Sequence, residues 1–153
     1  MPALFAFLHH LAFLAMTTVL TMQLVLLGQP LTLPSARKLR VVDRILGVSA
    51  VALLVLGLLR VFFFEKGPGY YFHNGAFHAK LTLFFIAALL SIYPTIQFLR
   101  WGKAVRQQQI PQLDDRKRRW MRIIVHTELT AIIGMALCAA LMAKGIGQFG
   151  QVT

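Results

Sequence analysis

The sequence contains few acidic residues and a single cysteine. Only 5 Asp and Glu stand against 16 Lys and Arg in 153 residues, and charged residues make up 14% of the chain, whereas a typical soluble domain carries about 25%. The lone Cys138 excludes an internal disulfide and a thiolate metal cluster. A basic region typical of a signal peptide is missing before the first apolar segment, so we expect that segment to remain in the protein.

Long apolar segments account for most of the chain. Hydrophobic residues make up 58% of the sequence, and the mean hydropathy is +0.67. We predict four membrane-spanning segments at residues 4–27, 45–64, 77–99 and 121–143, each long enough to cross a hydrocarbon core of about 30 Å as a helix. The ten-residue alternation of a β-barrel is absent. The sequence therefore predicts an all-α fold, a single-domain integral membrane four-helix bundle over 1–153 with up-down topology.

Basic residues cluster in two of the three connections. Between spans one and two lie Arg37, Lys38, Arg40 and Arg44, and between spans three and four lie Arg100, Lys103, Arg106, Arg116, Lys117, Arg118, Arg119 and Arg122. By the positive-inside rule both connections are cytoplasmic, which places both termini outside the cytoplasm. We predict a multi-pass protein of the bacterial inner membrane, whose positive charge meets lipid head groups rather than nucleic acid.

Local signals suggest where the helices begin and which faces they bury. Pro30 and Pro34 are expected to end helix one within a connection over 28–42, and Asp43 is expected to cap helix two. Small and polar residues at helical spacing predict packed seams, because small side chains let helices approach closely in lipid. These seams are Ala6, His10, Thr17, Thr21 and Gly28 in span one, Asp43, Gly47, Ala50, Leu54 and Gly57 in span two, and Thr127, Ala131, Gly134 and Cys138 in span four.

Ionisable residues inside the spans are the candidate functional residues, since such groups are costly in a bilayer. His9 and His10 in span one, Arg60 in span two, and His78 and Lys80 in span three fall at a similar depth near the non-cytoplasmic side. Two imidazoles from different helices suit axial ligation of haem iron, and cations suit its propionates. We therefore predict a haem b site with His10 and His78 as iron ligands, and with Arg60, Lys80 and His9 beside the cofactor. The absence of Cys-x-x-Cys-His makes attachment non-covalent.

Other interpretations of the same residues remain open. Arg60 and Lys80 would also be placed to extend towards the membrane surface. His126 and Glu128 form a second polar feature. It predicts either a hydrogen bond from Glu128 to Thr127, Thr130, Gln23 or a nearby cation, or else a proton relay or a polar group on the quinone side. Catalytic residues are not evident, and whether the protein is an enzyme stays open.

The predicted function is electron transfer or oxidoreductase chemistry in the membrane, with quinone or a membrane redox partner exchanging electrons. One alternative is a transporter or metal-handling protein that binds a copper-like ion through His9, His10, His78 and Met16. Another is a non-catalytic scaffold or accessory subunit, whose small-residue seams pack on a partner or on a second copy in a homo-oligomer.

Several short stretches resemble known membrane proteins. Likeness to an uncharacterised bacterial family of four-helix membrane proteins is carried by Leu8-His9-His10-Leu11, Leu59-Arg60-Val61-Phe62, Lys66-Gly67-Pro68-Gly69-Tyr70-Tyr71, His78-Ala79-Lys80-Leu81 and Leu90-Ser91-Ile92-Tyr93-Pro94-Thr95. More distantly, His10 and the His78-x-Lys80 motif are similar to the haem-containing membrane protoporphyrinogen oxidase of bacteria and to the copper-resistance D membrane domain. That second resemblance implies haem b on His10 and His78, with Lys80 as an electrostatic helper.

Overall fold

The computed structural model describes residues 2–149, and every regular element in this range is helical. The helices are α1 (Pro2–Leu27), α2 (Leu33–Leu59), α3 (Pro68–Phe72), α4 (Gly75–Arg100), α5 (Gly102–Arg106) and α6 (Asp115–Ala143), and a π-helical turn (Arg60–Phe64) continues α2. The predicted all-α membrane fold is confirmed within this range, because four helices are long and apolar enough to cross a membrane. Residues 1 and 150–153 lie outside the described residues, and the orientation with both termini outside the cytoplasm stays a prediction.

The four long helices form a ring. Helix α1 packs on α2 and α6, and α4 packs on α6 and α2, so that α2 and α6 face each other diagonally across the centre. The core between them is built from aliphatic and aromatic side chains that are almost fully enclosed, including Leu20, Leu39, Phe98, Met121 and Val125. Side chains from opposite helices therefore meet at the centre of the bundle.

The outer surface of the ring is apolar as well. Val48 is 71% exposed, Phe63 74% and Ile133 71%. In water such large apolar groups would be costly to leave uncovered, at roughly 25 cal/mol per Å². Their position around the long helices fits contact with lipid tails, as expected for a membrane-spanning bundle.

Helix α2 starts ten residues before Asp43, which corrects the prediction that Asp43 caps it. The cap is Thr32, whose Oγ1 accepts a hydrogen bond from the Ser35 backbone N–H while the Ser35 Oγ accepts one from the Thr32 N–H. Pro34 lies in the first turn, where a proline needs no intrahelical partner for its nitrogen. The connection between the first two helices is therefore short, and Asp43 lies inside the helix.

The predicted seam of α1 is wrong, and those of α2 and α6 are right in part. In α1 the buried residues are Ala12, Met16, Val19, Leu20, Gln23 and Leu27, whereas His10 and Thr21 are exposed. Large apolar residues fill this face because α1 packs between two neighbours and needs volume there rather than close backbone approach. In α2 Asp43 is buried but Gly47 is exposed, and in α6 Ala131 and Cys138 are buried but Thr127 is exposed.

The two ends of the bundle differ in character. We call the end formed by residues 60–78, the start of α1 and the end of α6 the aromatic end, and the end formed by residues 28–44 and 100–122 the basic end. At the basic end the Arg37 Nη2 donates to the Gln108 Oε1 at 2.7 Å. The Arg40 guanidinium lies against Gly102, where a Cβ would come within 3.0 Å of Nη2. Two arginines of α2 thus contact the segment between α4 and α6.

Candidate functional site

A cavity of about 510 Å³ opens at the aromatic end between all four long helices. Its walls are mainly apolar and include Phe13, Leu53, Phe84, Met135 and Ala139. The polar residues that line it are His9, His10, Arg60, Glu65, Lys66, Tyr70, Tyr71 and Lys80. Apolar walls with a few convergent polar groups, in a volume between about 300 and 1,000 Å³, are typical of a site for a small molecule or cofactor.

His9 reaches this cavity from the interface of α1 and α2. Its ring packs on Gly57, where an added Cβ would lie 3.2 Å from the His9 Cε1. The His9 Nδ1 is buried and has no hydrogen-bond partner within residues 2–149. Gly57 therefore provides the space for the imidazole, and the ring brings an unsatisfied polar atom into the bundle.

His10 also lines the cavity, but its ring is exposed. Its Nδ1 donates a hydrogen bond to the Ala6 carbonyl oxygen at 2.6 Å. An imidazole that donates through Nδ1 keeps its lone pair on Nε2, which is the arrangement that metal-ligating histidines usually have. The His10 side chain is therefore oriented and held in one tautomer by its own helix.

His78 is placed differently. Its Nε2 donates to the Phe72 carbonyl oxygen at 2.9 Å, and its ring stacks on Phe149 with centroids 6.3 Å apart. His78 is not among the residues that line the cavity. The structure thus brings His9, His10, Arg60 and Lys80 to one cavity and leaves His78 beside it, so that axial ligation by His10 and His78 stays a prediction.

Arg60 and Lys80, two of the three cations that line the cavity, have different surroundings. The Arg60 Nη2 lies 2.5 Å from the Glu65 Oε1, and this is the one ion pair within residues 2–149. Lys80 is half-buried and forms no hydrogen bond or ion pair with any described residue. Arg60 is therefore neutralised by a carboxylate of its own segment, whereas Lys80 brings an uncompensated positive charge to the cavity.

Glu65 is also hydrogen-bonded to an aromatic residue that lines the cavity. Its Oε2 accepts a hydrogen bond from the Tyr71 hydroxyl at 3.2 Å. Burial, together with the neighbouring Glu65 charge, raises the pKa of Tyr71 to about 12. The Tyr71 phenol therefore stays neutral at physiological pH and acts as a hydrogen-bond donor.

A second polar group lies inside the half of the bundle nearer the basic end. The Asp43 Oδ1 accepts hydrogen bonds from the Gln23 Nε2 at 3.3 Å and from the Thr95 Oγ1 at 2.9 Å. Glu128 is 3% exposed, and its Oε2 has no partner within residues 2–149. Glu128 was predicted from the sequence as a polar residue inside its span, whereas Asp43 was predicted to cap α2. The reason is that Thr32 and Ser35 were not recognised as the start of that helix.

The hydrogen bonds predicted for Glu128 are not formed with the expected residues. The Thr127 and Thr130 hydroxyls donate to carbonyl oxygens one turn back in their own helix, and Gln23 donates to Asp43. His126 is exposed and points away from the core that encloses Glu128. Within residues 2–149, three or more His, Cys, Asp or Glu side chains do not converge to form a group that could hold a metal ion.

Comparison with known proteins identifies the family. No curated protein and no solved structure matches the chain, and the distant resemblances to the oxidase and the copper-resistance domain gain no support from these comparisons. One family model, described as a predicted membrane protein (DUF2214), matches residues 1–147. Because that match covers nearly the whole sequence, the chain belongs to the DUF2214 family of predicted membrane proteins.

Proposed function

We propose that the protein binds haem b in the cavity at the aromatic end and serves electron transfer in a bacterial inner membrane. The observation that carries this proposal is the state of His10, which lines the cavity and commits its Nδ1 proton to the Ala6 carbonyl. That bond leaves the Nε2 lone pair for a metal. When bound, haem supplies one-electron chemistry, and an open coordination position would add chemistry with oxygen or substrate.

The remaining lining fits the other parts of such a cofactor. The apolar walls suit a flat macrocycle, and the uncompensated charge of Lys80 suits a propionate, since carboxylates in apolar surroundings need a cation or hydrogen-bond donors. Arg60 would reach a propionate only by sharing its guanidinium with Glu65. The third cation, Lys66, lies over the Tyr70 ring. Lys80 is therefore the main propionate partner in this proposal, and His9 is the second imidazole in the cavity.

An absorption spectrum of the purified protein tests the proposal. We expect a Soret band and a reducible α-band in the wild type, or after titration of the protein with haemin. His10→Ala should lose most of the bound haem, and Lys80→Gln should weaken haemin binding. His126→Ala is the matched control, because that histidine is exposed and distant from the cavity, and its haem content should equal that of the wild type.

The spectra of the histidine variants distinguish the possible ligands and functions. Unchanged haem content in both His9→Ala and His10→Ala would contradict the ligand assignment. Loss of a six-coordinate spectrum in His78→Ala would identify His78 as the second iron ligand, either through its free Nδ1 or through Nε2 once it leaves the Phe72 carbonyl. A colourless protein that binds copper would favour metal handling, and a protein that binds neither would leave a scaffold or accessory role. Electron exchange with quinone would be the next measurement on a haem-containing sample.

A further inference from the structure

The polar group in the half of the bundle nearer the basic end combines side chains from all four long helices. Gln23 comes from α1, Asp43 from α2, Thr95 from α4 and Glu128 from α6. Gln23 and Thr95 lie four and five residues before the ends of their helices, which corresponds to a depth of roughly 6–8 Å. The group is therefore enclosed by protein within a segment that crosses the membrane.

Two carboxylates lie in this enclosed space without a cation. Asp43 is 7% and Glu128 is 3% exposed, and they belong to the diagonal helices α2 and α6. Neither carboxylate forms an ion pair within residues 2–149, and the groups offered by α1 and α4, Gln23 and Thr95, do not titrate. A buried carboxylate without a cation or a hydrogen-bond donor is too costly to leave ionised, so Glu128 must hold a proton or a bound cation.

Hydrogen bonds distinguish the two members of the pair. Asp43 accepts two, from Gln23 and Thr95, and donors of this kind stabilise a carboxylate anion. The Glu128 Oε2 accepts none from the described residues. We propose that Glu128 holds one exchangeable proton, while Asp43 carries a charge that its two hydrogen-bond donors stabilise.

This proton site is separate from the cavity that is proposed to bind haem. Its residues do not line the cavity at the aromatic end. The ligand is the proton itself, carried in the enclosed part of the bundle, whereas Asp114 and Asp115 are exposed at the start of α6. A proton held at an interior carboxyl is the arrangement that membrane proteins use for proton relays. Failure of haem binding would leave this inference untouched, and the reverse is also true.

Infrared spectroscopy of the whole protein in lipid or detergent tests the inference directly. A protonated carboxyl has its own C=O stretching band, and only 5 Asp and Glu contribute to the spectrum. We expect such a band at neutral pH, with a shift when the buffer is changed to heavy water. Glutamate labelled with heavy carbon at its side-chain carboxyl should also shift the band, which requires no mutation and so does not depend on the folding of a variant.

Variants then assign the band to one residue. Glu128→Gln should abolish it, Asp43→Asn should retain it, and Asp115→Asn, in the exposed first turn of α6, should leave it unchanged. The proposal is overturned if the wild type has no such band, if the band does not shift in heavy water, or if labelled glutamate leaves it in place. Binding of sodium ions by a wild type that lacks the band would assign the site to a cation instead.

Discussion

The two histidines predicted to ligate haem iron differ in the ring nitrogen that they leave free. His10 donates through Nδ1 to Ala6, and His78 donates through Nε2 to Phe72. The first keeps Nε2 for a ligand and faces the cavity, whereas the second keeps Nδ1 and stacks on Phe149. At the scale of single residues, a backbone carbonyl therefore fixes which ring nitrogen of each imidazole stays free.

Tyr71 should ionise well after an ordinary tyrosine. Burial and the nearby Glu65 charge raise its pKa from 10.0 to about 12, so one of the three tyrosines should titrate late in an ultraviolet absorption titration of the purified protein. Glu65→Gln should bring the pKa of Tyr71 part of the way back, because burial, the larger cause, remains. Persistence of the late transition in Tyr71→Phe would contradict the assignment.

The depth of the candidate site residues follows from helical rise, whereas the direction of each side chain does not. Helical rise places His9, His10, Arg60 and Lys80 in one layer, and all four line the same cavity. The direction of the His78 side chain was not predictable, because it depends on a carbonyl in the preceding short helix α3. That contact requires the folded connection, which periodicity does not describe.

At the scale of elements, the start of α2 depends on a reciprocal pair of hydrogen bonds between Thr32 and Ser35. Thr32→Ala should destabilise the protein by about 1 kcal/mol, the usual cost of losing a helix N-cap. Thermal unfolding in detergent would measure the effect. Thr32→Ser retains the hydroxyl oxygen and serves as the control. Equal stability of Thr32→Ala and the wild type would show that this cap makes no contribution.

The same cap explains which helix boundary the sequence misjudged. Four apolar segments were enough to predict four helices, and the structure has them. The start of α2 was placed too late because Pro34 was taken as a helix breaker, although a proline is well tolerated in a first turn. Basic residues such as Arg37 and Arg40 consequently belong to the helix rather than to a loop.

At the scale of the whole molecule, the distribution of positive charge predicts the orientation of the bundle. Cysteine labelling with a membrane-impermeant reagent should reach Gln107→Cys only from the cytoplasm and Gly69→Cys only from the outside. Both positions are exposed, whereas the native Cys138 is buried. Asn74 is unsuitable for this purpose, because it is fully buried. Labelling of both positions from one side would contradict the up-down arrangement.

Which helices pack side by side in the ring could not be predicted from the sequence. Short connections suggest that consecutive helices pack together, yet α1 also packs on α6, and α2 faces α6 diagonally. This choice of neighbours encloses Asp43 on α2 and Glu128 on α6 in one bundle interior, although 84 residues of chain lie between them. Side-chain volume across several helices decides such an arrangement, and a single helix does not contain that information.

The segment after α6 is hydrogen-bonded to the residues that precede and begin α4. Gly147 accepts a hydrogen bond from the Gly75 N–H at 2.9 Å, and Phe149 donates one to the His73 carbonyl at 2.9 Å. The Asn74 side chain donates to Ile146 while it caps α4. A reporter fused directly after Ala143 in place of this segment would remove these hydrogen bonds and expose the Gly75 N–H at the start of α4. A reporter fused beyond 149 would retain them.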